Sequence, residues 1–203
     1  EPAKYARPPT LEATVFMQPE QPYFAHHPGR FFYIKDEENG ELWSAPHEPV
    51  RAQADRFCFS VGRDDIRWEL EKSGIETRIT VSLPPGDAAE LWSFEVTNTG
   101  REARELSVYP FFTIGYMSWM NQSARYEPEL GGIVARSISG YQKLEQWAQV
   151  KAFKDCTCLL HDTVPDAWEA SSEAFEGEGG LHAPDGVHAE RLQGGDAVYE
   201  MPA

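Results

Sequence analysis

The chain has 203 residues, with 33 acidic against 18 basic side chains and a formal net charge of −15. Such a surface repels a phosphate backbone instead of releasing its counterions, so nucleic acid is excluded as a partner. No apolar run approaches the roughly 20 residues of a membrane helix, and Glu1-Pro2-Ala3-Lys4-Tyr5 lacks the basic start and apolar middle of a signal peptide, so a soluble chain with no membrane partner is expected.

Residues 1 to 30 hold six prolines, at positions 2, 8, 9, 19, 22 and 28. Each removes a backbone donor and pushes its predecessor towards extended geometry, which predicts edge strand and loop instead of helix. His26-His27 lies there; neighbours in an extended segment point to opposite faces, so an exposed loop is favoured over a metal or acid-base pair.

Phe31 to Lys35 and Glu41 to Ser44 read as a hairpin, because Asn39-Gly40 between them supplies the positive φ of a tight turn. Phe57 to Val61 and Ile66 to Leu70 are short alternating strands, and Lys72-Ser73-Gly74 is the next turn. Ile75 to Leu83 alternates with period two, placing Ile75, Ile79, Val81 and Leu83 on one face and Glu76, Arg78, Thr80 and Ser82 on the other. Pro84-Pro85-Gly86-Asp87 ends that strand. Leu91 to Thr97 follows, Asn98 to Arg101 turns, and Ala103 to Phe112 completes an antiparallel meander.

Turn signals every 10 to 15 residues, with no amphipathic helix between them, predict an all-β fold, a sandwich or barrel, and the length fits a single domain. Further strands are expected at Ile133 to Ser139, Ala148 to Phe153 and Thr157 to His161, with a helical turn at Tyr141 to Trp147. Six glycines between Ala170 and Asp196 predict loops, apart from a short helix near Asp166 to Phe175.

The run Pro110 to Tyr126 changes character along its length, from an apolar strand into Trp119, Met120, Asn121, Gln122 and Arg125. Flat aromatic faces beside fixed donors and acceptors suit a polyhydroxylated ligand, and they suit a protein interface equally.

Three cysteines, Cys58, Cys156 and Cys158, argue against a disulfide framework and for a reducing compartment, with cytoplasm the default. Cys156-Thr157-Cys158 is either half of a metal site or a pair of ordinary strand residues. No second Cys or His pair stands at zinc-ribbon spacing, so no metal is assigned. Glu176 and Glu178 share a glycine-rich loop with His182, but glycosidase carboxylates sit on separate elements about 5 to 10 Å apart, so the pair is given no catalytic role. Gly-x-Ser-x-Gly, the phosphate-cradling lysine loop and His-Glu-x-x-His are all absent.

Gly115-Tyr116-Met117-Ser118-Trp119-Met120-Asn121-Gln122, then Gly140-Tyr141-Gln142-Lys143, then Ala174-Phe175-Glu176-Gly177-Glu178-Gly179-Gly180, resemble the N-terminal β-sandwich of the glycoside hydrolase family 94 phosphorylases. The resemblance runs from about Phe31 to the end of the chain. It is strongest to the branch holding cellobionic acid phosphorylase, the NdvB-like proteins and cellodextrin phosphorylase.

That resemblance implies an antiparallel super-sandwich of the galactose mutarotase-like kind, joined in the whole enzyme to a helical linker, an (α/α)6 barrel with the catalytic aspartate, and a small C-terminal sheet. It implies an inverting phosphorolysis of a β-glucoside: phosphate attacks the anomeric carbon while the aspartate protonates the leaving oxygen. No cofactor is implied, and no catalytic residue falls on this chain. The implied partners are a saccharide, inorganic phosphate and a second subunit whose acceptor subsite this domain completes. By the same resemblance Arg125 pairs with an aldonate carboxylate and Gln149 bonds sugar hydroxyls, with Trp119 and Asn121 behind them. A surface strand or a dimer contact remains the plain alternative for these positions.

The rival expectation is a free-standing carbohydrate-binding or mutarotase-like module. It would hold sugar on an aromatic face such as Trp43, Trp68 or Trp92, although tryptophans in alternating strands belong more often to a core.

Overall fold

A computed structural model describes residues 13–14, 30–112, 115–116, 122–137 and 155–199. Among these the strands in chain order are β1 (Ala13–Thr14), β2 (Arg30–Asp36), β3 (Leu42–Ala45), β4 (Arg56–Val61), β5 (Asp65–Lys72), β6 (Ile75–Ser82), β7 (Leu91–Asn98), β8 (Leu106–Phe112), β9 (Gly115–Tyr116), β10 (Gln122–Glu127), β11 (Gly132–Ser137), β12 (Asp155–Leu160) and β13 (Ala197–Tyr199). All the registered pairings are antiparallel, and the fold is the all-β class expected. The residues form two compact units, one built on residues 30–111 and the other on those from 112 onward together with β1.

The first unit has a four-stranded sheet in the order β4-β5-β6-β7 and a three-stranded sheet in the order β3-β2-β8. Phe32, Ile34, Trp43 and Ala45 of the smaller sheet pack with Trp68, Leu70, Ile75, Ile79 and Val81 of the larger. The period-two pattern of β6 has this cause: one face lies against the opposite sheet and the other meets water. The Phe31-Phe32-Tyr33-Ile34 run is apolar throughout because both of its faces are covered. Phe32 stacks on Phe94 with centroids 4.2 Å apart, while Phe31 and Tyr33 meet Phe111 at 6.4 and 5.9 Å.

The β2–β3 hairpin forms as predicted, with Gly40 at φ +75° and its N–H donating to the Asp36 carbonyl at 2.8 Å. One expectation changes. Leu83 is 68% exposed, because β6 ends at Ser82 opposite Leu91 and the chain then leaves the sheet at Pro84. Phe57, Phe59 and Val61 face the core side of the larger sheet but stay 47 to 67% exposed, because β4 is that sheet's edge strand.

The second unit has a four-stranded sheet in the order β12-β11-β10-β13 and the small pair β1-β9. The glycine-rich stretch expected to be loop holds short helices: α1 (Ser172–Glu176), a 3-10 segment (Gly177–His182) and α2 (Asp185–His188). Ser171 caps α1, its hydroxyl accepting from Ala174 N–H at 3.2 Å. Glycine here serves packing: a Cβ on Gly186 would lie 2.7 Å from Phe175 Cδ2, so only a bare backbone brings α2 against the buried Phe175. The expected helix thus sits at the far end of the Asp166 to Phe175 window.

Candidate functional site

The polar half of the Pro110 to Tyr126 run enters the second unit as β10. Alternation along β10 sends Ser123, Arg125 and Glu127 to one face and Ala124 and Tyr126 to the other, and directly paired residues share a face. Arg125 therefore lies beside Val134 of β11 and, one strand further, Cys158 of β12. Val134 is 2% exposed and forms the apolar floor, while the Arg125 side chain is 56% exposed.

Arg125 Nε donates to Glu127 Oε1 at 2.6 Å, and Arg136 Nη1 stands 3.7 Å from the same carboxylate oxygen. Two guanidinium groups thus share one acid. This surplus of positive charge suits an incoming carboxylate or an array of hydroxyls, either of which competes with Glu127 for Arg125.

The opposite face of the sheet carries Tyr126, whose ring stacks on Trp168 at 5.1 Å with an interplanar angle of 13°. Gly194 also lies against that indole, where a Cβ would meet Cζ2 at 3.3 Å. Trp168 is thus half-buried and packed against both Tyr126 and Gly194. A cleft of about 610 Å³ opens beside it, bordered by Asp166, Arg191 and Gln193 among others. Arg191 Nη2 donates to the Asp166 carbonyl at 2.8 Å, and Glu169 accepts from Ser171 N–H at 3.0 Å and Gly195 N–H at 3.2 Å, which ties this loop to the chain before β13.

Cys156 and Cys158 share the Arg125 face, with sulfurs 3.9 Å apart. Burial, and then the neighbouring Cys156, push the Cys158 thiol up, while Arg136 pulls it down. Among the described residues no group of three or more His, Cys, Asp or Glu is placed to hold a metal ion. Burial also raises the Glu176 carboxyl and lowers His161, against which Asp162 works. Glu176 ends α1 and Glu178 lies in the 3-10 segment, its N–H donating to Asp185 Oδ2 at 3.0 Å; they belong to a helical turn and not to one extended loop.

The aromatic faces of the rival expectation are core. Trp43 is 1% and Trp68 3% exposed. Trp92 is half-buried, stacked on Trp68 at 6.2 Å, covered by the Arg30 guanidinium at 5.5 Å and held by Nε1 donating to Glu90 at 2.9 Å. Of the four predicted ligand residues the structure places Arg125; Trp119, Asn121 and Gln149 lie outside the described residues, as do His26, His27, Tyr141 to Trp147 and Ala148 to Phe153. Glu127 and Arg136, which set the charge around Arg125, were not singled out from sequence. Glu127 stands two residues after Arg125, the spacing that puts strand residues on one face, and that was the available signal.

Comparison with known proteins accords with this architecture. The family described as "Glycosyl hydrolase 94, supersandwich domain" matches residues 20–202. The chain is 55% identical over 202 residues to a cellobionic acid phosphorylase of Neurospora crassa, covering 100% of this chain and 26% of that protein. It is 27% identical over 176 residues to a 3-O-beta-D-glucopyranosyl-beta-D-glucuronide phosphorylase of Paenibacillus borealis, covering 85% and 23%. It is 22% identical over 152 residues to an N,N'-diacetylchitobiose phosphorylase of Vibrio proteolyticus, covering 74% and 19%. The chain thus spans about a quarter or less of the length of these curated relatives. With the family match running across both compact units, the chain belongs to the glycosyl hydrolase 94 supersandwich domain family.

Proposed function

We propose that this chain is the supersandwich domain of an inverting β-glucoside phosphorylase that splits cellobionic acid, or a related β-1,4-glucoside, with inorganic phosphate to give glucose 1-phosphate. The observation that carries this is the 55% identity to the Neurospora protein along the whole chain. Catalysis belongs to the remainder of the enzyme, and the domain acts by binding and positioning. As one domain it supports a homodimer and completes the acceptor subsite of the partner subunit.

In that role Arg125 holds the aldonate carboxylate. Its exposed guanidinium and the second cation at Arg136 support this, because an accessible guanidinium fork matches a carboxylate in a charge-assisted, bidentate pair. Gln149 contributes a neutral donor and acceptor for hydroxyls, and Trp119 and Asn121 are the further candidates for sugar contact. A cytoplasmic location agrees with the exposed free thiols at Cys58, Cys156 and Cys158. No helix among the described residues is long and apolar enough to cross a membrane.

The test is phosphorolysis by the whole protein, read as glucose 1-phosphate released from cellobionic acid and from cellobiose. Turnover of cellobionic acid by the whole protein, and none by residues 1–203 alone, is expected. Turnover of neither sugar, or sugar binding by residues 1–203 without a second subunit, overturns the proposal.

A further inference from the structure

Two thiols lie on the face of the sheet that carries Arg125. Cys156 and Cys158 alternate on β12, so both side chains leave the same face of the strand. Both are exposed, and their sulfurs stand 3.9 Å apart. Two thiolates on a tetrahedral thiophilic ion, with metal–sulfur bonds of about 2.3 Å, stand roughly 3.8 Å apart. The pair is therefore already at chelating distance.

A disulfide fits this site less well. It needs sulfurs about 2.05 Å apart and Cβ atoms about 3.5–4.5 Å apart, whereas side chains two residues apart on one strand leave it in parallel with their Cβ atoms about 6.6 Å apart. Closing the bond would draw β12 against its register with β11, which runs from Gly132↔Leu160 to Ser137↔Asp155. A metal ion bridges the sulfurs with the strand as it stands.

One cation stands beside the pair and works against the burial that raises the Cys158 thiol. Arg136 is the direct cross-strand partner of Cys156, on the same face. Both thiols are exposed, so the coordination positions not filled by sulfur are open to solvent. No third protein ligand joins the pair among the described residues, which makes this a two-point site completed by water or a small thiol.

We propose that Cys156 and Cys158 form a bidentate site for a soft divalent cation of the zinc and cadmium class. On binding, both S–H bonds are replaced by metal–sulfur bonds, two protons pass to solvent, and no electrons are exchanged. Thiolate ligands select such ions over the hard cations magnesium and calcium.

The test uses Cd²⁺ as the probe. Titration of the purified protein is followed by the ultraviolet sulfur-to-cadmium charge-transfer band, and compared with Cys156→Ser, Cys158→Ser and Cys58→Ser. The expected result is a band of equal size in the wild type and Cys58→Ser, with affinity lower by tenfold or more in each of the other two. Mapping of maleimide-labelled peptides reads the site without any substitution: Cd²⁺ should slow labelling of Cys156 and Cys158 together and leave Cys58 unchanged. Equal affinity in Cys156→Ser, or equal protection of Cys58, overturns the proposal.

Discussion

Arg104 Nη2 donates to Oδ2 of Asp36, a carboxylate with no exposure to solvent. The other oxygen of Asp36 accepts the N–H of Glu38 at 2.9 Å, and Arg104 Nη1 donates to the Ser73 carbonyl at 3.1 Å. This pair joins the end of the β2–β3 hairpin, the β5–β6 turn and the approach to β8, three segments of the first unit that are distant in sequence.

A buried pair of this kind is destabilising to break, because the survivor keeps its desolvation without its partner. Arg104→Ala should lower stability by about 3–5 kcal/mol. Asp36→Ala should fall in a similar range, and the double variant should cost less than the sum of the two. Urea midpoints for the four proteins check this; an additive double variant would mean that the two side chains do not act on each other.

Under the proposed acceptor role, Arg125 and Glu127 should affect the whole enzyme in opposite directions. A charge-assisted hydrogen bond contributes about 1.5–3 kcal/mol, so Arg125→Ala should raise KM for cellobionic acid roughly 10- to 100-fold with kcat little changed. Glu127→Gln removes the competing carboxylate and should lower that KM. Cellobiose, which has no carboxylate, serves as the control substrate. Equal rises for both sugars would reduce Arg125 to a structural role.

His161 gives the protein an acid-side dependence. Burial depresses its folded pKa below the ordinary value of about 6.5, so its contribution to stability is present above that value and is lost as pH falls through the folded pKa. His161→Gln should flatten the difference between urea midpoints taken at about pH 7.5 and about pH 5. Glu176→Gln is the comparison of opposite sign. Burial raises that carboxyl, its contribution is lost as pH rises, and the amide should stabilise the protein at neutral pH.

Gly186→Ala tests the contact between α1 and α2. The added methyl would lie 2.7 Å from Phe175 Cδ2 and 3.1 Å from both Leu192 Cδ2 and the Phe175 carbonyl oxygen. Overpacking of this kind costs typically about 1–3 kcal/mol. A thermal midpoint equal to that of the parent would show that the helices have room to separate.

The strands of the first unit could be read from residue order, because a sheet with one covered face imposes period two on its sequence and turns need Asn-Gly or proline at fixed offsets. The β2–β3 hairpin and β6 follow from those local rules alone. Of the helices, α1 was expected only as a short helix near Asp166 to Phe175, and α2 fell in a stretch expected to be loop. They are five and four residues long, too short to show helical periodicity, and are held by the Ser171 cap and by Gly186 packed on Phe175.

Sequence by itself determined which side chains each strand could offer to a core: Phe57 and Phe59 alternate as cleanly as Ile79 and Val81. Only the tertiary structure decided which of them are covered, since burial depends on where a strand stands in its sheet and what lies opposite, and β4 is at an edge. The same holds for charge. Arg125 was visible as a cation in a polar run, with Glu127 at the two-residue spacing of one strand face, but the approach of Arg136 to the same acid follows from the β10–β11 register, which no local pattern specifies.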